Sequence, residues 1–252
     1  NFFTKNNFMN ILMNMSSRLV IALGIAGCVI TAGCDLSAGR MIGFGACISG
    51  MLLQRMDYSG KFFPDMQPLN VFVVALIAML VCAAFGTVTG FFIAYLNVPP
   101  FIATLAMMEI VYGIGLIVTN ATPLGGYVEQ YTNVSNGKFL GINYLIWIAI
   151  IVAAITWFIF NMTRHGKYMY AIGGNPQAAE VAGVPVKATL ILIYMKAAAM
   201  YGLAGFMLGA KAGGASVQTG YGYEMEAIAA CTIGGVSVTG GRGKVSSAII
   251  GV

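Results

Sequence analysis

The sequence predicts an all-α, polytopic transmembrane helical bundle with broken or re-entrant segments. Three observations predict it. The 252 residues are 59% hydrophobic and only 8% charged, whereas a soluble domain carries about 25% charged residues and needs them to cover its surface. Several uninterrupted apolar stretches are long enough to cross a bilayer. The stretches between them are short, poor in charge and punctuated by Pro, Gly and Asn, and lipid admits closed helices but no open sheet edges.

The elements follow in order. Residues 18–34 (RLVIALGIAGCVITAGC) and 41–56 (MIGFGACISGMLLQRM) are apolar but short. Residues 71–96 carry no charge and cross with tilt to spare. Residues 101–118 form a further span with Glu109 inside it, and 142–160 carry Trp147 and Trp157 toward their two ends, as interfacial anchors. Residues 188–209 enclose Lys196. Residues 225–238 are too short to cross and read as re-entrant, and 245–252 begin another apolar segment. All of this reads as one transmembrane domain over 1–252. The chain opens on Asn1 and stops inside SSAIIGV, so it is expected to be truncated at both ends.

Loop charge sets the orientation. The stretch 161–187 holds Arg164, Lys167 and Lys187 against Glu180, while 119–141 holds Lys138 against Glu129 and 57–69 holds Lys61 against Asp57 and Asp65. The 161–187 stretch is therefore expected on the cytoplasmic side together with 97–100, and 57–69 and 119–141 outside. Small residues spaced by four, Gly86 with Gly90, Ala198 with Gly202 and Gly205 with Gly209, predict close helix approaches in lipid.

The polar punctuation carries the functional candidates. In TAGCDLSAGR (31–40), Asp35 and Ser37 suit the start of a new helix at a chain break. Such a break either lines a pathway or is a tight loop at the membrane edge, and Arg40 is expected to snorkel to the surface. In NVPPFIATLAMMEIVYG (97–113), Asn97 and the prolines start a helix on which Glu109 and Tyr112 share a face. An ionisable group in a span is a functional suspect, but an interhelical ion pair of Glu109 with Lys196 is the favoured reading. In YAIGGNPQAAEVAGV, Asn175 is an N-cap, Pro176 takes the first helical position, and Gly183 and Pro185 end the run. A helix of about two turns is marginal in water and needs something to lean on.

Several functions are excluded by what is missing. Net charge is +5, but the bases are scattered, so no nucleic-acid surface is expected. Cys28, Cys34, Cys47, Cys82 and Cys231 form no CxxC and lie in or beside apolar stretches, so they read as packing residues rather than metal ligands or disulfides. TGGRGK fails the phosphate-loop spacing, because Val238 stands where its first Gly belongs and Val245 follows Lys244. His165, beside Arg164 and Lys167, reads as a solvated or headgroup-facing residue. No catalytic cluster, metal site or cofactor is expected.

With TAGCDLSAGR, AYLNVPPFIATL, AIGGNPQAAEVAGV and EMEAIAACTIGGVSVTGGRG quoted in that order, the chain resembles the permease subunits of bacterial sugar-importing ABC transporters. Within the branched-chain-type permeases it is most similar to the ribose and galactose branch, and there to the galactose/methyl-galactoside permeases through DLSAGR, FFPDM, AYLNVPPFI and EAIAAC. The resemblance implies a multi-pass homodimer in the bacterial inner membrane. Its implied partners are a cytoplasmic ATPase subunit, which hydrolyses the ATP, and an external sugar-binding protein. It makes Gly173, Gly174, Asn175, Pro176, Gln177, Ala178, Ala179, Glu180, Ala182, Gly183 and Val184 the ATPase-coupling segment. Asp35, Ser37, Asn97, Thr104, Glu109 and Tyr112 are the candidates for the translocation pathway. Glu226 stands where such permeases carry Asp, and Glu109 and Lys196 stand where uncharged residues are usual. The alternatives are a same-family permease for ribose or nucleosides, and an ion-coupled secondary transporter using Glu109.

Overall fold

The computed structural model describes residues 4–252, and it is helical almost throughout. Helix α1 (Lys5–Ile30) opens at Thr4, whose hydroxyl accepts a bond from the Asn7 amide at 3.3 Å. After a non-helical stretch, α2 (Ala38–Leu52) follows, buried along nearly its whole length. Helix α3 (Val71–Tyr95) is capped by Asn70, which accepts from the Phe72 amide at 2.9 Å. Helix α4 (Pro100–Thr119) begins on a proline, which gives up no needed donor at that position, and ends at Asn120 in the left-handed region. Helix α5 (Glu129–Asn136) and a two-residue hairpin, β1 (Lys138–Phe139) with β2 (Ile142–Asn143), lead into α6 (Tyr144–Met162). Helices α7 (Arg164–Gly174), α8 (Pro176–Val181), α9 (Val186–Ala212), α10 (Tyr223–Ile233) and α11 (Val245–Gly251) complete the chain.

Helices α1, α3, α4, α6 and α9 are long and apolar enough to cross a membrane. The outer faces of α3, α4 and α6 present large apolar side chains such as Phe72, Leu80, Ile117 and Ile151, whereas α2 and α9 are mostly enclosed. The molecule is thus a multi-pass membrane bundle in which α2 is the axis rather than a lipid-facing span. Backbone approach explains how α2 fits there. A Cβ on Gly45 would lie 2.9 Å from the Gly202 Cα of α9, and a Cβ on Gly86 of α3 would collide with the Tyr194 carbonyl and the Ala198 side chain. The small residues spaced by four are those close approaches.

The loops sort to two ends. At one end Gln54 bridges Tyr127, and Leu124 bridges Ala215. There α5 is fastened to α9 by the Tyr131 hydroxyl, which donates to the Phe206 carbonyl at 2.7 Å. At the other end the Gly241 amide donates to the Ile30 carbonyl at 2.8 Å, Tyr170 donates to the Gly243 carbonyl, and Lys187 lies 5.1 Å from the Tyr95 ring. So 57–69 and 119–141 share one end, and 97–100 and 161–187 share the opposite one. The latter also gathers Arg242 and Lys244, which deepens its positive charge.

Two expectations are corrected here. Residues 225–238 are not re-entrant. The chain leaves α9 at the Ala215 end, descends through the turns of 216–222, and α10 carries it on toward Gly241 at the opposite end, so 213–233 is one crossing, half turns and half helix. Likewise 18–34 is not a short segment: α1 is 26 residues long, begins at Lys5 and ends at Ile30, so 31–34 belong to the non-helical break before α2. The loop 119–141 also holds more order than its polarity suggested.

The two broken crossings are arranged as an inverted pair. Each begins with a long helix, α1 or α9, and these run antiparallel, with Gly24 against Ala197 and Tyr201, and Gly27 against Ile193. Each long helix is followed by a non-helical stretch and then a short helix. The short helix packs on the other unit's long one: α2 on α9, and α10 on α1 through the Cys231 thiol, 3.2 Å from the Ala22 carbonyl, and the Arg18–Glu226 ion pair at 3.0 Å. Transporters that bind substrate near the bilayer midplane often carry this inverted arrangement.

Candidate functional site

The first break is built around Asp35. Its carboxylate, 2% exposed, accepts from the Ser37 amide at 3.0 Å, the Ser37 hydroxyl at 2.6 Å and the Tyr201 hydroxyl at 3.1 Å. A buried carboxylate is retained only when its lone pairs are filled in this way. Ser37 is fully buried with it. Thr104 of α4 closes the same break from the other side, donating to the Cys34 carbonyl at 3.2 Å. Asp35, Ser37 and Thr104 therefore come together, and each already has its partners.

The second break brings its first helical turn against the first turn of α2. A Cβ on Gly39 would collide with the Glu224 carboxylate and lie 2.9 Å from the Gly220 carbonyl, and a Cβ on Gly43 would lie 2.8 Å from the Val217 carbonyl. Beside this junction Arg40 does not snorkel. Its guanidinium lies 3.9 Å from the Tyr112 ring centroid and 4.4 Å from that of Tyr221. It donates to the Gln218 amide oxygen at 2.7 Å, while the Gln218 amide nitrogen donates to the Tyr112 hydroxyl at 3.1 Å. Two flanking aromatic faces hold the cation more favourably than a reach to the surface would. Of the pathway candidates only Tyr112 belongs to this cluster. Arg40, Gln218, Tyr221 and Glu224 escaped sequence reasoning, because 178 positions separate Arg40 from Gln218.

The remaining candidates scatter. Asn97 lies exposed in the turn before α4, at φ 52°, far from either break. Glu109 is exposed on α4 and does not pair with Lys196, since α2 and α3 stand between α4 and α9. Among the described residues the ion pairs are Arg18–Glu226 and Arg55–Asp57. Lys196 instead lines a small cavity of about 20 Å³ with Gly27, Thr156 and Met169. His165 is not a free loop residue: it lies on the first turn of α7, half-buried, with its Nε2 sealed from solvent. Burial there, aided by the nearby Lys196 charge, holds its pKa down to about 4.

Helix α7 packs on the end of the bundle, with Met169, Ile172 and Gly173 buried, and α8 stands out on it. Asn175 caps α8 by accepting from the Ala178 amide at 3.0 Å, and Gly183 turns the chain at φ 83°. Gly174 to Ala178, Glu180, Ala182 and Gly183 are exposed, and Val184 is half-buried. Val181 is 91% exposed, an unpartnered apolar side chain on a marginal helix. Gly173 and Ala179 are buried, so these two hold the projection to the bundle instead of offering a surface. Among the described residues no cluster of His, Cys, Asp or Glu has the make-up to hold a metal ion.

Comparison with known proteins gives this geometry a family. The model of the branched-chain amino acid transport system permease component matches residues 7–252. A galactose/methyl galactoside import permease protein of Haemophilus influenzae is 44% identical over 253 residues, covering 98% of this chain and 75% of the relative. The protein of the same name from Escherichia coli is 42% identical at the same coverage. A ribose import permease protein of Escherichia coli is 33% identical, covering 100% of this chain and 76% of the relative. No solved structure matches the chain.

Proposed function

The chain belongs to the branched-chain amino acid transport system permease family, and on that premise we propose that it is the membrane-spanning subunit of an ATP-driven importer of galactose and methyl galactosides in the bacterial inner membrane. It performs no covalent chemistry and supplies an alternating pathway. A separate cytoplasmic ATPase hydrolyses the nucleotide, an external binding protein delivers the sugar, and a second permease copy completes the pathway. The reading draws on the 42–44% identity to permeases named for those sugars. Ribose is the second reading, drawing on the 33% relative.

The observation that carries the coupling mechanism is the exposed α8, seated on α7 and with Val181 91% exposed. It stands at the more basic end, the cytoplasmic one by the loop-charge rule. When ATP closes the ATPase pair, the docked α8 moves, and the motion reaches the bundle through Ala179 and Gly173. That is a two-state element biased by a ligand. Reconstitution of the permease with its ATPase and binding protein in proteoliposomes tests the proposal. Labelled methyl galactoside should accumulate only with ATP. Uptake that persists without the ATPase and collapses with the proton gradient would overturn it in favour of ion coupling.

A further inference from the structure

Four buried side-chain atoms lack a hydrogen-bond partner among the described residues: Arg40 Nε, His165 Nε2, Tyr194 Oη and Glu224 Oε2. Two of these, Arg40 Nε and Glu224 Oε2, one donor and one acceptor, belong to residues at the contact of the first turns of α2 and α10. Orphaned polar atoms in a buried site are costly, so their persistence asks for an occupant. Glu224 is only 6% exposed, and its carboxylate rests on Gly39, next to Arg40. The two charges offset each other without pairing. A cation would meet Arg40 and an anion would meet Glu224, so the junction suits a neutral ligand. An alcohol hydroxyl is both donor and acceptor, and it satisfies both orphan types.

The rim of the junction has the complementary chemistry. Tyr221 is 61% exposed and Gln218 is also exposed, so an aromatic ring and an amide face open space beside the guanidinium. An aromatic face accepts the apolar C–H face of a pyranose, and the amide and guanidinium address its edge hydroxyls. The position is midway along the bundle. Arg40 neighbours Met41, whose carbonyl lies 3.6 Å from the Cys82 sulfur in the middle of α3, and Tyr112 is near the middle of α4.

We propose that Arg40, Tyr112, Gln218, Tyr221 and Glu224 form a midway station that binds the neutral hexoside in transit. This inference rests on the sugar-importer reading above and adds to it the place where the pathway touches the sugar. The paired first turns of α2 and α10 make the station responsive to the inverted units, because any shift of one unit against the other alters the distance between Arg40 and Glu224.

The test uses the assembled permease, ATPase and binding protein in proteoliposomes, with labelled galactose and methyl galactoside as probes. Tyr221→Ala, Gln218→Ala and the near-isosteric Glu224→Gln are compared with wild type, with co-purification of the ATPase and thermal melting as checks on folding. Loss of one such anchor lowers uptake at limiting sugar by about tenfold and shifts the galactose to methyl galactoside ratio, which a purely structural lesion leaves unchanged. Folded variants that match wild type in rate and ratio overturn the inference alone. Unfolding of Tyr221→Ala, whose ring is exposed, also overturns it by making that ring a packing element. Wild type that imports no sugar overturns the premise and the inference together.

Discussion

At the scale of single residues, the buried acid at the first break makes a stability argument that is independent of transport. Asp35 accepts three bonds from Ser37 and Tyr201, all within a region that is 0–2% exposed. Asp35→Ala strands two hydroxyls and an amide, and each stranded buried group costs about 1–3 kcal/mol. Asp35→Asn keeps an acceptor and is the milder change. Melting of the detergent-solubilised protein should rank wild type, Asn and Ala in that order, and an Ala variant that melts with wild type would refute the argument. A second residue sets a pH dependence. His165 is neutral in the fold, with its pKa held at about 4 against an ordinary 6.5. The unfolded chain therefore binds the proton first, and stability falls as pH drops from 6.5 toward 4. His165→Gln should flatten that part of the stability curve, as read by melting across the same range. Neither role was legible in the sequence. His165 sits among Arg164 and Lys167 like any loop residue, and only the folding of α7 against α1 and α9 buries it.

At the scale of elements, the small-residue contacts and the projecting helix yield opposite expectations. Gly45 and Gly202 bring α2 and α9 to backbone contact, with no side chain to yield. Gly45→Leu should destabilise by about 3 kcal/mol through overpacking, lowering both melting temperature and yield. On α8 the substitutions divide by exposure. Val181→Arg replaces an exposed side chain and should abolish co-purification of the ATPase while leaving the melting temperature unchanged. Ala179→Arg forces a charge into a buried position and should disturb α8 itself, so it cannot separate docking from folding. ATPase binding at wild-type strength by Val181→Arg would refute the docking role. The start and stop of α8 were readable from Asn175, Pro176 and Gly183, because caps and turns are local chemistry. The existence of α7 and α5 was not readable, because both draw their order from tertiary contacts, α5 through the bond from Tyr131 to α9.

At the scale of the whole molecule, the inverted units give Glu109 a meaning different from the one its position in an apolar span suggests. It is exposed on α4, one turn before Tyr112 and outside the bonded cluster of Arg40, Tyr112 and Gln218, and it has no ion-pair partner among the described residues. Glu109→Gln should therefore leave ATP-driven uptake in proteoliposomes at the wild-type rate, and uptake should survive collapse of the proton gradient. A Gln variant that loses uptake would restore Glu109 to the pathway. The polarity of the bundle belongs to this scale too. Arg164, Lys167, Lys187, Arg242 and Lys244 gather at one end although more than fifty positions separate Lys187 from Arg242.

By itself, the amino-acid sequence determined that this chain lives in a bilayer, where α3, α4, α6 and α9 begin and end to within about three residues, and which short helix carries its own caps; the long N-terminal reach of α1 was not among these. Those properties follow from apolar run length and from hydrogen bonding within a few residues, so local chemistry suffices. Only the tertiary structure decided that α2 is the buried axis, that α10 completes a broken crossing, and that Arg40 lies between two tyrosines while Glu224 rests on the neighbouring Gly39. Such juxtapositions depend on how closely glycine-faced helices approach, and that distance is a property of pairs of segments far apart in the chain.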